Sequence, residues 1–137
     1  MQIGEEVKLR MRMSARDAHY GGELVAGAKA LELFGDIVTE VTIRHDGDEG
    51  LFRAYKEIEF LAPVYAGDYL EVTGKLLKIG NTSRTVELVA KKVIAASRDP
   101  NHSSEADVLD EPIIVARAIG VTVTPKDKQR KTKNNGG

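Results

Sequence analysis

Two carboxylates, Asp17 and Glu23, bracket the stretch His19-Tyr20-Gly21-Gly22. A carboxylate can accept a proton or hold a cation, and two with different surroundings can divide those tasks. His19, whose ordinary pKa is about 6.5, suits proton transfer, although a lone histidine more often serves as a structural hydrogen-bonder. Tyr20 can orient a carboxylate or wall a pocket. Gly21 and Gly22 lack side chains, so a ligand can approach the backbone closely there. A helix starting at the pair would add free amides and a dipole worth about half a charge, favouring an anion or a polarised oxygen. The plain alternatives are a loop-ordering cap for Asp17, a helix-dipole partner for Glu23 and a tight turn for the glycines.

Other chemistries are thinly represented. The chain has no Cys, which removes disulfides, thiolate nucleophiles and Cys-ligated metals together. No Ser-His-Asp arrangement is apparent, and His45-x-x-Asp48 on a turn is a weak metal motif, so no metal is expected. His45 and His102 fall in polar segments predicted to be exposed. With 137 residues, 42% hydrophobic and 30% charged, and a net charge of -1, the composition is that of one soluble domain rather than a nucleic-acid binder. Met1 to Met13 is charged and alternating, unlike a signal peptide, and no apolar run approaches the ~20 residues of a membrane span. A cytoplasmic protein without nucleic-acid or membrane partners is the expectation.

The elements that must position these residues follow from periodicity. From Glu23 to Phe34, apolar residues at Leu24, Gly27/Ala28, Leu31 and Phe34 mark one helix face, with only Lys29 and Glu32 polar; Gly35 reads as its stop. Asp36 to Asp46 is ambiguous, since Asp36 suits an N-cap while Val38, Thr39, Val41, Thr42 and Ile43 are β-branched; a second helix after a kink is favoured. Glu6–Met13 alternates as a half-buried strand. Leu51–Leu61, Tyr69–Ile79, Arg84–Ala95 and Pro112–Thr124 read as further strands, with Ile113 to Val115 buried on both faces. Ala96–Glu111 reads as an exposed, polar insertion, and the lysine-rich Pro125–Gly137 as a disordered or docking tail. The sum is an α+β domain, one antiparallel sheet curled around a central helix. Its exposed edge strands invite two copies to pair.

The Gly21-Gly22 pair, Phe60-Leu61-Ala62-Pro63-Val64, Ala66-Gly67-Asp68 and Gly80-Asn81-Thr82-Ser83-Arg84 resemble hotdog-fold acyl-CoA enzymes over Val7 to Val123. More narrowly, Asp17–Ala28, Ile43–Phe52 and Glu59–Glu71 resemble ammonia lyases of anaerobic lysine fermentation, which remove ammonia from a 3-aminoacyl-CoA to give crotonyl-CoA. The resemblance implies a single hotdog domain over residues 1–124 with a basic tail over 125–137, assembled as a dimer or trimer of dimers, a homohexamer. It implies a CoA thioester as substrate, so no separate cofactor, with its carbonyl oxygen at the start of the central helix. Amides there would stabilise the enolate formed when the α-proton leaves. The β-amine is already an ammonium at neutral pH and leaves as ammonia without a general acid; an anion is needed to position it. Asp17 and Glu23 would share the roles of base and ammonium holder, in either order, with His19 a further proton-transfer candidate. Gly21, Gly22, Tyr20, Ser83 and Arg84 would bind the thioester and CoA, with Lys78 and the tail lysines as further phosphate partners. One departure stands out: many related thioesterases carry an acidic residue seven positions after the second Gly, where this chain has Lys29. A cation there cannot activate water by taking its proton. An acyl-CoA thioesterase is therefore the runner-up, and a non-catalytic acyl-CoA-binding domain, for which two carboxylates beside an acyl chain serve no purpose, comes third.

Overall fold

A computed structural model describes residues 1–131. Strand β1 (Glu6–Arg12) is followed by a short hairpin, β2 (Ala18–Tyr20) and β3 (Leu24–Val25), and then by the single long helix α1 (Gly27–Asp46). Four long strands complete the chain: β4 (Leu51–Phe60), β5 (Tyr69–Ile79), β6 (Ser83–Ala96) and β7 (Ala106–Val123). They form one antiparallel five-stranded sheet in the order β1-β5-β6-β7-β4, and β2 and β3 pair separately. The sheet closes on α1, whose buried face is Ala30, Leu33, Phe34, Ile37, Val38, Val41, Thr42, His45 and Asp46. Against it lie Leu70, Val72 and Leu76 of β5 and Val86, Leu88 and Ala90 of β6, every second residue, as a pleated strand requires.

The helix differs from its prediction at both ends. It starts at Gly27, not beside Gly21-Gly22, and runs through Gly35 without interruption for 20 residues. The β-branched stretch joins it because Val38 and Val41 are buried against the sheet, an apolar gain that outweighs a small helix propensity deficit. Thr39 donates its hydroxyl to the Gly35 carbonyl at 2.9 Å, satisfying its polar atom within the helix. The true stop is Gly47, left-handed at φ 75°, whose amide donates to the Ile43 carbonyl.

Three smaller expectations also change. The Ala96–Glu111 insertion shrinks to a connection around Pro100–His102, because Ala106 onward extends β7 in register with β6. Ile113 and Ile114 are exposed and only Val115 is buried. His45 is buried, its Nδ1 within 3.2 Å of the Met1 carbonyl. The start of the tail docks: Gln129 is buried and donates to the Asn81 and Thr124 carbonyls at 3.0 and 2.9 Å, and Arg130 donates to the Gly47 carbonyl. Lys133 and the other tail positions beyond 131 lie outside the described residues.

The C-terminal end of α1 is tied by a buried ion pair. Arg84, with 1% of its side chain exposed, donates Nε to Asp46 Oδ2 at 3.0 Å and Nη2 to Asp46 Oδ1 at 2.9 Å; Asp46 is wholly buried. Nη1 is shared between the Gly80 and Ser83 carbonyls at 2.9 and 3.0 Å, so four of the five guanidinium N–H groups are committed inside the protein, and burial keeps the group from a phosphate. Arg84 is thus a structural clamp between helix and hairpin rather than the expected CoA partner. Removing one member of such a pair leaves an uncompensated buried charge, so Arg84→Met should lower unfolding free energy by about 3–5 kcal/mol in urea titrations. Combining it with Asp46→Leu should recover most of that loss.

Candidate active site

The first turn of α1 opens onto empty space. Ala26 precedes it with no side-chain cap, and the turn holds no acidic residue. The Lys29 amide bonds back to the Ala26 carbonyl at 3.0 Å, while the Gly27 and Ala28 amides belong to the set that a helix leaves without internal partners. Gly27, Ala28 and Lys29 line a cavity of about 630 Å³, within the range of small-molecule sites. Its other walls are Tyr20 and Leu24 from the hairpin, Phe60–Val64 after β4, and Leu70, Val115 and Ala116 from the sheet. Lys29 is the only charged side chain among the lining residues. A Cβ on Gly27 would fall 2.7 Å from Phe60 Cε1, so the ring lies against bare backbone at the helix start.

The two loops that make the mouth are sewn together. Val25 donates its amide to the Val64 carbonyl at 2.8 Å, and Ala66 to the Glu23 carbonyl at 3.0 Å. Behind them the buried Asp68 accepts from the Tyr65 and Ala96 amides, both at 2.8 Å, and pairs with the buried Lys92 at 3.0 Å. Lys92 also donates to the Pro63 carbonyl at 2.9 Å, fixing the cavity wall to β6. Lys92 was not singled out from the sequence, and Asp68 entered only as part of the Ala66-Gly67-Asp68 motif. Strand phase would have found Lys92, which shares the inward face with Val86, Leu88 and Ala90.

Neither Asp17 nor Glu23 lines the cavity; Asp17 reaches it through Lys29, as a fixed anion. Its Oδ2 accepts from the Ser14 amide at 2.8 Å and the Ser14 hydroxyl at 3.2 Å, and its Oδ1 lies 3.2 Å from the Lys29 ammonium. Burial by itself would raise the Asp17 pKa, but the Ser14 amide and the Lys29 ammonium outweigh it and hold the carboxyl below its ordinary value. Burial likewise would lower Lys29, and Asp17 reverses it, raising the ammonium's pKa. Both stay charged.

Glu23 is placed differently. It ends the hairpin turn Gly21–Glu23, where Gly22 and Glu23 are both left-handed at φ 68° and 64°. Left-handed backbone suits glycine and strains a glutamate. The Glu23 side chain is 69% exposed, and its nearest charged partner is Arg98 Nη1 at 3.8 Å, a guanidinium lying 3.7 Å above the Tyr65 ring. Gly21 and Gly22 form the hairpin tip instead of the helix start, and the amides at the helix start are those of Gly27 and Ala28. His19 is exposed, with its ring edge-on to Tyr20 at 4.7 Å, and does not line the cavity; Tyr20 does. Ser83 and Arg84 lie at the far end of α1, roughly 30 Å away along a helix of this length.

The sheet-wrapped helix with a site at its N-terminus defines a class. The chain belongs to the thioesterase superfamily, whose family model matches residues 25–93. A hexameric hotdog fold thioesterase of Campylobacter jejuni shares the fold at a TM-score of 0.70 and 17% identity, with 89% of this chain and 85% of that one covered. Within the class, the chain is 59% identical over 123 residues to 3-aminobutyryl-CoA ammonia lyase of Acetoanaerobium sticklandii, covering 90% of this chain and 97% of that protein. The β-alanyl-CoA:ammonia lyase of Clostridium propionicum superposes with a TM-score of 0.90 at 40% identity, over 94% of this chain and 91% of the other.

The Asp17–Lys29 pair has a pH signature. A depressed carboxyl pKa contributes stability that is complete above the unfolded value of 3.8 and is lost as pH falls through the lower folded value. Asp17→Asn should therefore show a shallower fall in Tm than the parent between about pH 5 and pH 2.

Proposed function

We propose that this protein is a carbon–nitrogen lyase that eliminates ammonia from 3-aminobutyryl-CoA, giving crotonyl-CoA. The observation that carries this on the geometry is the Asp17 carboxylate seated at 3.2 Å on the ammonium of Lys29, which lines the apolar cavity at the uncapped helix start. A substrate with its thioester oxygen on the Gly27 and Ala28 amides places its β-ammonium two carbons away, near the same carboxylate. The near-full-length identity to an ammonia lyase points the same way.

The geometry supports one division of the roles left open by the sequence. Asp17 has its Oδ2 taken up by Ser14 and its pKa lowered, which suits an ammonium holder at Oδ1 and not a base. Glu23, exposed and with one loose partner, is the base that takes the α-proton. As the C–H bond breaks, negative charge moves onto the thioester oxygen, where the first-turn amides stabilise it. The enolate then expels the nitrogen with its bonding pair as neutral ammonia, and the α,β double bond forms. CoA is carried by the substrate, and no separate cofactor enters this scheme. Hydrolysis is disfavoured because the only charged group lining the cavity is a cation.

The β4 edge carries exposed Leu51, Phe52, Ile58 and Phe60, an apolar surface suited to a second copy. We take the working form to be a homodimer assembling to a hexamer, acting in the cytoplasm in lysine degradation. Among the described residues, no helix is long and apolar enough to cross a membrane.

Incubation with crotonyl-CoA and ammonium tests the activity. Loss of the enoyl absorbance is expected; release of free thiol would indicate a hydrolase, and no change a binding domain. Glu23→Gly separates chemistry from folding. It should raise stability by about 1 kcal/mol by relieving the left-handed strain, while elimination slows by at least about 100-fold. An undiminished rate would remove Glu23 from the reaction.

A further inference from the structure

Lys29 remains unexplained by that scheme. It is a cation lining a cavity proposed to receive another cation, which in an apolar setting is unfavourable unless each has its own anion. Its surroundings suggest how both are accommodated. Asp17 Oδ2 is taken up by the Ser14 amide and hydroxyl, so an incoming ammonium can join Asp17 only at Oδ1, where Lys29 now sits at 3.2 Å. Lys29 also has an alternative anion one helical turn away: Glu32 Oε1 at 3.5 Å, on a side chain that is mostly exposed and free to follow it. And Lys29 belongs to the same first turn as the amides of Gly27 and Ala28, with 19% of its side chain exposed.

We propose that Lys29 is a specificity-determining residue that links amine recognition to thioester activation: it holds the substrate ammonium's seat on Asp17 and, once displaced, supports the developing enolate oxygen. This rests on the assignment of Asp17 as the ammonium holder. An acyl-CoA without a β-amine leaves Lys29 on Asp17, and its carbonyl is met by the amides alone. A β-ammonium takes Asp17 Oδ1, and the displaced ammonium, still protonated and with three N–H donors, turns toward the oxygen where charge is accumulating. The amine thereby completes the electrostatic environment that ejects it.

The addition of ammonium to crotonyl-CoA, followed at varied ammonium concentration, gives a sign that a merely structural lysine would not. In Lys29→Met, which keeps the apolar stem, the internal competitor is gone, so the ammonium KM should fall by about fivefold, the scale of one exposed ion pair. The same variant should lose about 100-fold in kcat, the scale of one lost donor to a developing oxyanion. Lys29→Arg, which keeps a cation on Asp17, should restore the ammonium KM toward the parent value. An ammonium KM in Lys29→Met that is unchanged or raised, or an undiminished kcat, overturns the proposal. Asp17→Asn separates the two levels. If it leaves the ammonium KM untouched, Asp17 is not the seat and both assignments fall. If it raises that KM while Lys29→Met does not lower it, the role of Lys29 alone falls. The unmodified protein supplies an independent check: methylammonium should accelerate exchange of the α-hydrogens of butyryl-CoA in D2O, and the absence of acceleration counts against the displacement.

Discussion

The structure depends on a helix that begins without a side-chain cap at the mouth of a cavity. Burying α1 in the curve of the sheet stabilises the domain, but it also carries the helix's first amides to the edge of an apolar cavity where neither a side-chain cap nor an acidic first-turn residue answers them. In ordinary proteins such donors are met by a Ser, Thr or Asp at the N-cap. Here the position is Ala26, and the residues that follow are glycine and alanine. The unmet hydrogen-bonding capacity is an attraction for an oxygen that gains negative charge.

Such an arrangement works only if the helix cannot shift. Ion pairs hold it at both ends: Asp46 with the buried Arg84 at the C-terminal end, and Lys29 with Asp17 at the other. A third pair, Lys92 with Asp68, fixes the loop facing the first turn. The three differ in what they can do. The two buried pairs carry further hydrogen bonds to backbone and serve as rivets, whereas Lys29 lines the cavity and also lies near Glu32, so its contact with Asp17 is the one that can exchange partners.

Much of this was legible in the sequence. Strand signals placed Tyr69–Ile79 to the residue and the other long strands to within a few residues or, for β7, short of its start; in β5 and β6 one face is buried and the period is unambiguous. The helix was misplaced because its local signals conflict with its tertiary role. Gly21-Gly22 looks like an entry but forms a hairpin tip, and Gly35 looks like a stop but is carried through by packing on either side. Asp17 and Glu23 were recognisable as a bracketing pair. Their different states were not, since Ser14, Lys29 and the left-handed turn decide them and none of these is visible as a pattern. Arg84 and Lys92 were hidden by the habit of assigning long cations to the surface, yet both lie in phase with buried Val86, Leu88 and Ala90.

The central claim is that the first turn of α1 polarises a thioester carbonyl. The most direct measurement is the infrared difference spectrum of bound crotonyl-CoA carrying a carbon-13 label at the thioester carbonyl. A carbonyl held by the Gly27 and Ala28 amides must absorb at lower frequency than the same thioester free in water. A band that keeps its solution frequency in the saturated complex would contradict the account.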